Sequence, residues 1–305
     1  MSHETYQSLE NDGFRALLFT PSRDGDPVLL QTRRGTLVQD RFPDLATAAR
    51  DLPDGLVLDG ELTVLDQHGQ LSFTALQRRA TAGRNARTLA AAMPAHFIAF
   101  DVLQTDGHEL LNVSFVRRRE VLEGLFADDR VGPPWTLCPS TTDPAVAGEW
   151  LHEWTDVPGV EGVVAKSLTG RYRPGMRAWT KIRRRDTTET LIGPPPARCN
   201  AFKRWALRHG WSARPGGEEG PAETRSGARR RRTPAGPDHP WTAVRFTTSW
   251  NSRTPLDPVL VAPLLVAEVS AGTSQDHGVW RHLVRTKAST STPPTQTSHP
   301  SSTRT

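Results

Sequence analysis

The chain has 305 residues, enough for two compact domains and a core that is stable without staples. Its two cysteines, Cys138 and Cys199, are too few for a disulfide framework or a cysteine metal cluster, and no apolar run approaches the roughly 20 residues of a membrane helix. A net charge of +5 suits an anionic partner such as nucleic acid, although the Arg, Ala, Gly and Pro bias of a GC-rich gene would give the same excess. So few cysteines make a reduced, cytoplasmic setting expected, and the segment to Leu9 is polar and lacks the basic start and apolar stretch of a signal peptide.

Phe14 to Phe19 and Val28 to Thr32 predict two strands joined by a turn at Asp24-Gly25-Asp26. Pro43 to Leu52 predicts a short helix with proline at a tolerated first-turn position. Val57 to Leu65 alternates like a strand interrupted at Gly60, and His96 to Leu103 reads as a buried strand. Val116 to Phe126 and Pro144 to Trp154 have helical spacing. Gly162 to Ser167 and Ala178 to Arg183 predict further strands. Composition changes after Gly193: Pro194-Pro195-Pro196 breaks regular structure, and the Gly, Pro, Glu and Arg stretch that ends near Arg229 to Arg232 holds too few apolar residues to offset chain entropy. Order is expected to return near His239, with strand-like runs at Val259 to Val269 and Gly278 to Val284. The Ser/Thr/Pro-rich end reads as a disordered tail.

Six short motifs follow one another in the first part of the chain. They are Asp12-Gly13-Phe14-Arg15, Arg33-Arg34-Gly35, Asp59-Gly60-Glu61-Leu62 and Phe100-Asp101-Val102-Leu103, then Glu161-Gly162-Val163-Val164-Ala165-Lys166 and Trp179-Thr180-Lys181-Ile182-Arg183. Singly, each has an ordinary reading: Asp-Gly as a turn, a flanking Glu and Lys as a solvated pair, Arg-Arg-Gly as surface, Phe100 as core. Their order and spacing together resemble the covalent nucleotidyltransferases, namely ATP-dependent DNA ligases, RNA ligases and capping enzymes. The actinobacterial type of ATP-dependent DNA ligase is the most similar. The resemblance covers roughly Leu9 to Gly193. It returns weakly between about His239 and Arg285, where Leu264 to Val269 and Val279 to His282 look like pieces of that family's OB-fold domain.

The resemblance implies an α+β fold: a nucleotidyltransferase (adenylation) domain of antiparallel-rich sheets with flanking helices, then an incomplete OB-fold-like β-barrel. The implied domains are 1–193 for adenylation, 194–238 for a Pro/Gly/Arg-rich linker, 239–287 for the partial OB-fold and 288–305 for a disordered tail. The implied activity joins 3′-hydroxyl and 5′-phosphate ends at DNA nicks through an adenylate, in repair or recombination. It implies ATP and Mg2+ as cofactors, nicked double-stranded DNA as partner, no membrane, a monomer, and a cytoplasmic, nucleoid-associated location. Each step is an in-line displacement at phosphorus, so cations and a divalent metal must neutralise spreading charge. By the resemblance, Lys181 and Arg183 hold the α-phosphate, and Lys166 assists near the adenine or phosphate. Phe100 stacks on adenine, Glu61 contacts the ribose, and Arg15 lies near the ribose or nick phosphate. Glu61 and Glu161 bind the metal, and Arg33 with Arg34 contacts the DNA.

The family's first motif is Lys-x-Asp-Gly, and here those positions read Glu10-Asn11-Asp12-Gly13. Glutamate cannot form the stable phosphoramidate that lysine forms with AMP, and its charge opposes the ATP phosphates. Ordinary self-adenylylation is therefore not expected. Only nine residues precede Glu10, which suggests that a strand supporting the nucleotide pocket is missing. The stretch from Pro194 to about Pro237 stands where the family has its first OB-fold strands. The readings that remain are a ligase, an enzyme that keeps only the sealing of adenylylated nicks, a non-catalytic nucleic-acid binder using its basic surface, and an RNA ligase or capping enzyme. The partial OB-fold resemblance and the Trp-x-Lys-x-Arg motif favour DNA over RNA.

Overall fold

The computed structural model describes residues 5–11, 13–127, 131–157, 159–176 and 178–191, together with six short strands between 246 and 290. Asp12, Cys199, the 194–238 stretch and Leu264 lie outside the described residues. The chain divides into two compact units, Met1–Arg184 and Arg185–Thr305.

In the first unit the strands are β1 (Thr5–Asn11), β2 (Phe14–Phe19), β3 (Leu29–Thr32), β4 (Val57–Val64) and β5 (Ala95–Thr105). They continue with β6 (His108–Glu109), β7 (Trp135–Leu137), β8 (Ser140–Thr141), β9 (Val160–Ser167) and β10 (Thr180–Ile182). The helices are α1 (Pro43–Ala48), α2 (Phe73–Ala80), α3 (Ala86–Ala92), α4 (Phe115–Ala127) and α5 (Pro144–Glu153). One sheet has the order β3-β2-β4-β5-β6, antiparallel throughout, with β7 parallel beside β5. The other has the order β10-β9-β1-β8 and is also antiparallel.

Alternation along the first sheet separates its two faces. Ala16, Leu18, Leu30, Leu58, Leu62, Phe97 and Ala99 point into the main core, where they meet Phe42, Leu45, Leu76 and Leu122 from the helical layer. The opposite face carries Arg15, Asp59, Glu61 and Phe100, and a smaller apolar cluster joins Ile98 and Phe100 of β5 to Leu9 of β1 and Val160 of β9. The two sheets therefore face each other across the charged residues of the motifs. A bulge adjusts β5. Register shifts where Asp59-Gly60 of β4 meets 99–101, and core-facing positions resume one residue out of step at Val102. Phe100 is the extra residue, kept on the inter-sheet face.

Two expectations change in detail. β4 does not stop at Gly60 but runs through it, with the irregularity taken up by the partner strand. A Cβ at Gly60 would collide with the Phe97 ring and come within 2.6 Å of the Ile98 carbonyl, so the glycine admits a close partner and does not break the strand. The polar run at the N-terminus, for which no strand was predicted, forms β1 and lies between β8 and β9 with Ser8, Leu9 and Glu10 buried. Helices α2 and α3 were also not foreseen. Ser72 caps α2 by accepting a hydrogen bond from the Ala75 N–H, and buried Arg79 ties the helices together by donating to Asp44 of α1 and to the Met93 carbonyl.

The second unit contains β11 (Arg185–Leu191), β12 (Phe246–Thr247), β13 (Pro255–Leu256), β14 (Val266–Gly272), β15 (Gln275–Asp276), β16 (Val279–Trp280) and β17 (Arg285–Thr290). β11, β14 and β17 make a three-stranded antiparallel sheet, and the other four strands pair as two small ribbons. β17 extends to Thr290, three residues into the stretch read as tail.

Candidate active site

The inter-sheet face collects the motif residues from six strands and the short segment around Arg183. Glu10, next to last in β1, lies beside a register shift and opposite Gly162 of β9. A Cβ on Gly162 would strike the Ile182 carbonyl and lie 3.0 Å from Arg183 Cα. Absence of a side chain there lets the backbone after β10 close over β9, which brings Arg183 beside Glu10.

The Glu10 carboxylate is only 3% exposed. Its Oε1 accepts from Lys181 Nζ at 2.5 Å and from Arg183 Nη2 at 2.5 Å, and its Oε2 accepts from Arg183 Nε at 3.1 Å. Arg183 also pairs with Glu161 at 2.5 Å. Burial opposes the Arg183 charge, but Glu10, Glu161 and Glu61 more than offset that and hold the guanidinium protonated. Glu61 completes the group: burial, with Glu161 and Glu10 adding to it and Lys181 opposing, pushes its carboxyl up to about 8. At neutral pH it therefore carries a proton. A second glycine makes this packing possible. A Cβ at Gly13 would lie 2.5 Å from Glu61 Cγ, so the Asp-Gly-Phe-Arg and Asp-Gly-Glu-Leu motifs touch at a point with no room for a side chain.

A second cluster adjoins the first. Arg15 grips Asp59 through Nε at 3.0 Å and Nη2 at 2.5 Å, and Tyr172 donates to the same carboxylate at 3.0 Å. The Arg15 guanidinium stacks 4.5 Å from the Trp179 ring centre and 5.5 Å from that of Phe100. Lys166 is buried with its ammonium 4.3 Å from the Trp179 ring centre, 4.6 Å from Phe100 and 4.9 Å from Phe115, and it donates to the Phe100 carbonyl at 3.3 Å. Burial pushes its pKa down to about 8 against the pull of Asp101, Cys138 and Asp59. Asp101, beside Phe100, is held by a two-pronged pair with Arg118 of α4 at 2.9 Å on each side, which fixes the wall of this cluster.

Eight of the residues singled out from the motifs thus meet between the sheets: Glu10, Arg15, Glu61, Phe100, Glu161, Lys166, Lys181 and Arg183. Arg33 and Arg34 do not join them; they are exposed in the turn after β3, at the edge of the first sheet. Asp59, Tyr172 and Trp179 are site residues that the reading of roles passed over. Asp59 and Trp179 stand inside motifs already recognised, whereas Tyr172 has no sequence signal. Among the described residues, no three His, Cys, Asp or Glu side chains gather to hold a metal ion unaided.

A clamp of lysine and arginine beside paired carboxylates and an aromatic wall is the equipment of nucleotidyl transfer. Residues 2–183, well over half the chain, match the family model of the ATP-dependent DNA ligase domain. The chain belongs to that family. Over 183 residues it is 39% identical to DNA ligase C2 of Mycolicibacterium smegmatis, covering 59% of this chain and 50% of that protein. It is 37% identical over 185 residues to the multifunctional non-homologous end joining DNA repair protein LigD of Mycobacterium tuberculosis, covering 60% of this chain and 22% of LigD. The chain thus spans half the length of the first relative and less of the second. A solved mycobacterial DNA ligase D complexed with ATP and MES superposes with a TM-score of 0.50 at 28% identity, covering 92% of this chain and 89% of that one. The fold is accordingly the nucleotidyltransferase fold, followed by an incomplete OB-like sheet of β11, β14 and β17.

Proposed function

We propose that this chain seals nicks in duplex DNA whose 5′-phosphate already carries AMP, and that it does not load itself with AMP at position 10. The observation that supports this reading is the convergence of Lys181 and Arg183 on one anion, with three donated hydrogen bonds. Attack by the 3′-oxygen forms a new P–O bond and expels AMP, so negative charge grows on the departing phosphate. Lys181 and Arg183 are the cations suited to that charge. Phe100 and Trp179 offer aromatic faces to adenine, and Lys166 with Arg15 lines the same wall. The Glu61 carboxyl is suited to a hydrogen bond with a ribose hydroxyl. Arg33 and Arg34 contact the DNA backbone in this reading, and the protein acts as a cytoplasmic, nucleoid-associated monomer.

ATP is the adenylate source that the family uses, and in this chain the lysine route to it is closed by Glu10. Mg2+ suits the donor set. Glu61 and Glu161 are hard oxygen ligands, a bound cation would favour the ionised form of Glu61 that burial opposes, and Mg2+ commonly takes one or two carboxylates with phosphate and water completing its shell. When bound, it would neutralise charge on the phosphate oxygens. The test is sealing of a nicked duplex bearing a 5′-adenylate, with Mg2+ and without ATP. The expected outcome is sealing by the protein, a fall of about 100-fold or more in Lys181→Ala, and no labelling of the protein by radioactive ATP. Labelling would overturn the closed first step, and a folded protein that binds but never seals would reduce the chain to a nucleic-acid binder.

A further inference from the structure

We infer that Glu10 is a built-in competitor of the substrate phosphate: its carboxylate occupies the Lys181–Arg183 clamp and must leave before a phosphate ester can bind there. The inference rests on the reading of that clamp as the phosphate site. Three features of the geometry support it.

Arg183 engages Glu10 with the two-pronged fork, Nε to Oε2 and Nη2 to Oε1, that a guanidinium uses equally for a carboxylate or a phosphate. Lys181 caps the same Oε1, so the carboxylate takes three donors in the arrangement that two phosphate oxygens would take. Next, the charges already cancel. Glu10 and Glu161 face Lys181 and Arg183, so the paired groups leave no positive excess to draw an anion to a phosphate site. In a lysine at position 10 the same place would carry positive charge, so the exchange of lysine for glutamate alters the local balance by two units. Finally, the cluster has an open side. Glu10 is buried at 3% but Lys181 is 58% exposed, so an arriving phosphate meets Lys181 first and can take over its hydrogen bond before displacing the carboxylate from Arg183.

Substrate binding and release of Glu10 are then one exchange, and only a ligand whose phosphate outcompetes the carboxylate is held. A nucleotide monophosphate alone gains little, whereas an adenylylated DNA end gains contacts elsewhere that offset the displacement.

Calorimetric titration of the whole protein with AMP and, separately, with adenosine tests this independently of sealing. Glu10→Gln removes the charge at nearly constant shape. It is expected to bind AMP about tenfold more tightly than the unaltered protein, a difference of about 1.4 kcal/mol, with adenosine affinity unchanged within about twofold. Adding Lys181→Ala to Glu10→Gln should abolish the gain. Equal or weaker AMP binding by folded Glu10→Gln would overturn the inference, as would an equal gain for adenosine, which places the effect outside the phosphate clamp. If Glu10→Gln does not fold, the carboxyl carbon of Glu10 in 13C-glutamate-labelled unaltered protein gives a second measure. Its NMR resonance is expected to shift on saturation with a nicked duplex that carries the 5′-adenylate and a 3′-deoxy terminus, and an unmoved resonance rejects the exchange. Failure to seal an adenylylated nick, with the AMP result as expected, would overturn the proposed function and leave the competitor intact.

Discussion

Glu61 and Lys166 are titratable groups that burial moves towards neutrality, and each makes stability depend on pH in a window of its own. Glu61 ionises near 4.5 when unfolded and near 8 when folded. Between those values the unfolded chain loses its proton first, so stability falls as pH rises through the window and levels off above it. Glu61→Gln is expected to remove this slope: melting temperatures of variant and parent agree near pH 4.5 and diverge in favour of the variant by pH 8. Equal differences at both pH values would reject the buried carboxyl. Lys166 acts in the opposite direction. Its folded pKa near 8 lies below its unfolded 10.5, so the unfolded chain holds the extra proton and stability rises between pH 8 and pH 10.5. Thermal melts at pH 7 should show Lys166→Met to be more stable than the parent, because an apolar chain fits among Phe100, Phe115 and Trp179 without desolvating a charge. At position 10, Glu10→Lys is expected to acquire covalent labelling by radioactive ATP, and a folded variant that stays unlabelled would mean that the missing lysine is not the sole block on the first step.

At the scale of elements, glycines govern how closely the strands approach. Gly60→Ala should destabilise the first unit by about 1–3 kcal/mol, since its methyl meets the Phe97 ring and the backbone of β5 with no space to yield; urea unfolding measures this, and a change within error would mean that β5 can move. The strands β2, β3, β4, β5 and β9 were legible from their apolar residues, alternating in β2 and β4 and nearly continuous in β5. β1 was not, since Thr5–Asn11 is polar and becomes interior only by being flanked on both sides in a sheet. Helix α2 escaped for a related reason. Its buried residues are Leu76 and Arg79, and an arginine in the core reads as surface until Asp44, Met93 and Phe42 are seen around it. The strand β11, contiguous in sequence with the first domain, pairs with β14 some eighty residues later, a partnership with no local signature.

For the whole molecule, the excess of 38 basic over 33 acidic residues supports binding to DNA through its phosphates. Affinity for a nicked duplex is expected to fall linearly with salt on a double logarithmic plot, and replacing Arg33 or Arg34 by alanine should reduce the slope by about one contact each. Slopes unchanged in both variants would remove that turn from the DNA interface.

The sequence by itself determined the family, because phosphoryl transfer demands particular side chains and the six motifs bring them in one order. It also determined that the nucleophile's position holds a glutamate. Only the tertiary structure decided what that glutamate does. Glu10 and its partners Lys181 and Arg183 are separated by 171 and 173 positions, and they meet because β1 and β10 pair with the two edges of β9. The same holds for the neutral Glu61, for the Arg15–Asp59–Tyr172 cluster and for the aromatic enclosure of Lys166. Charge state and partnership depend on burial and distance, and a linear sequence contains neither until strand pairing sets them.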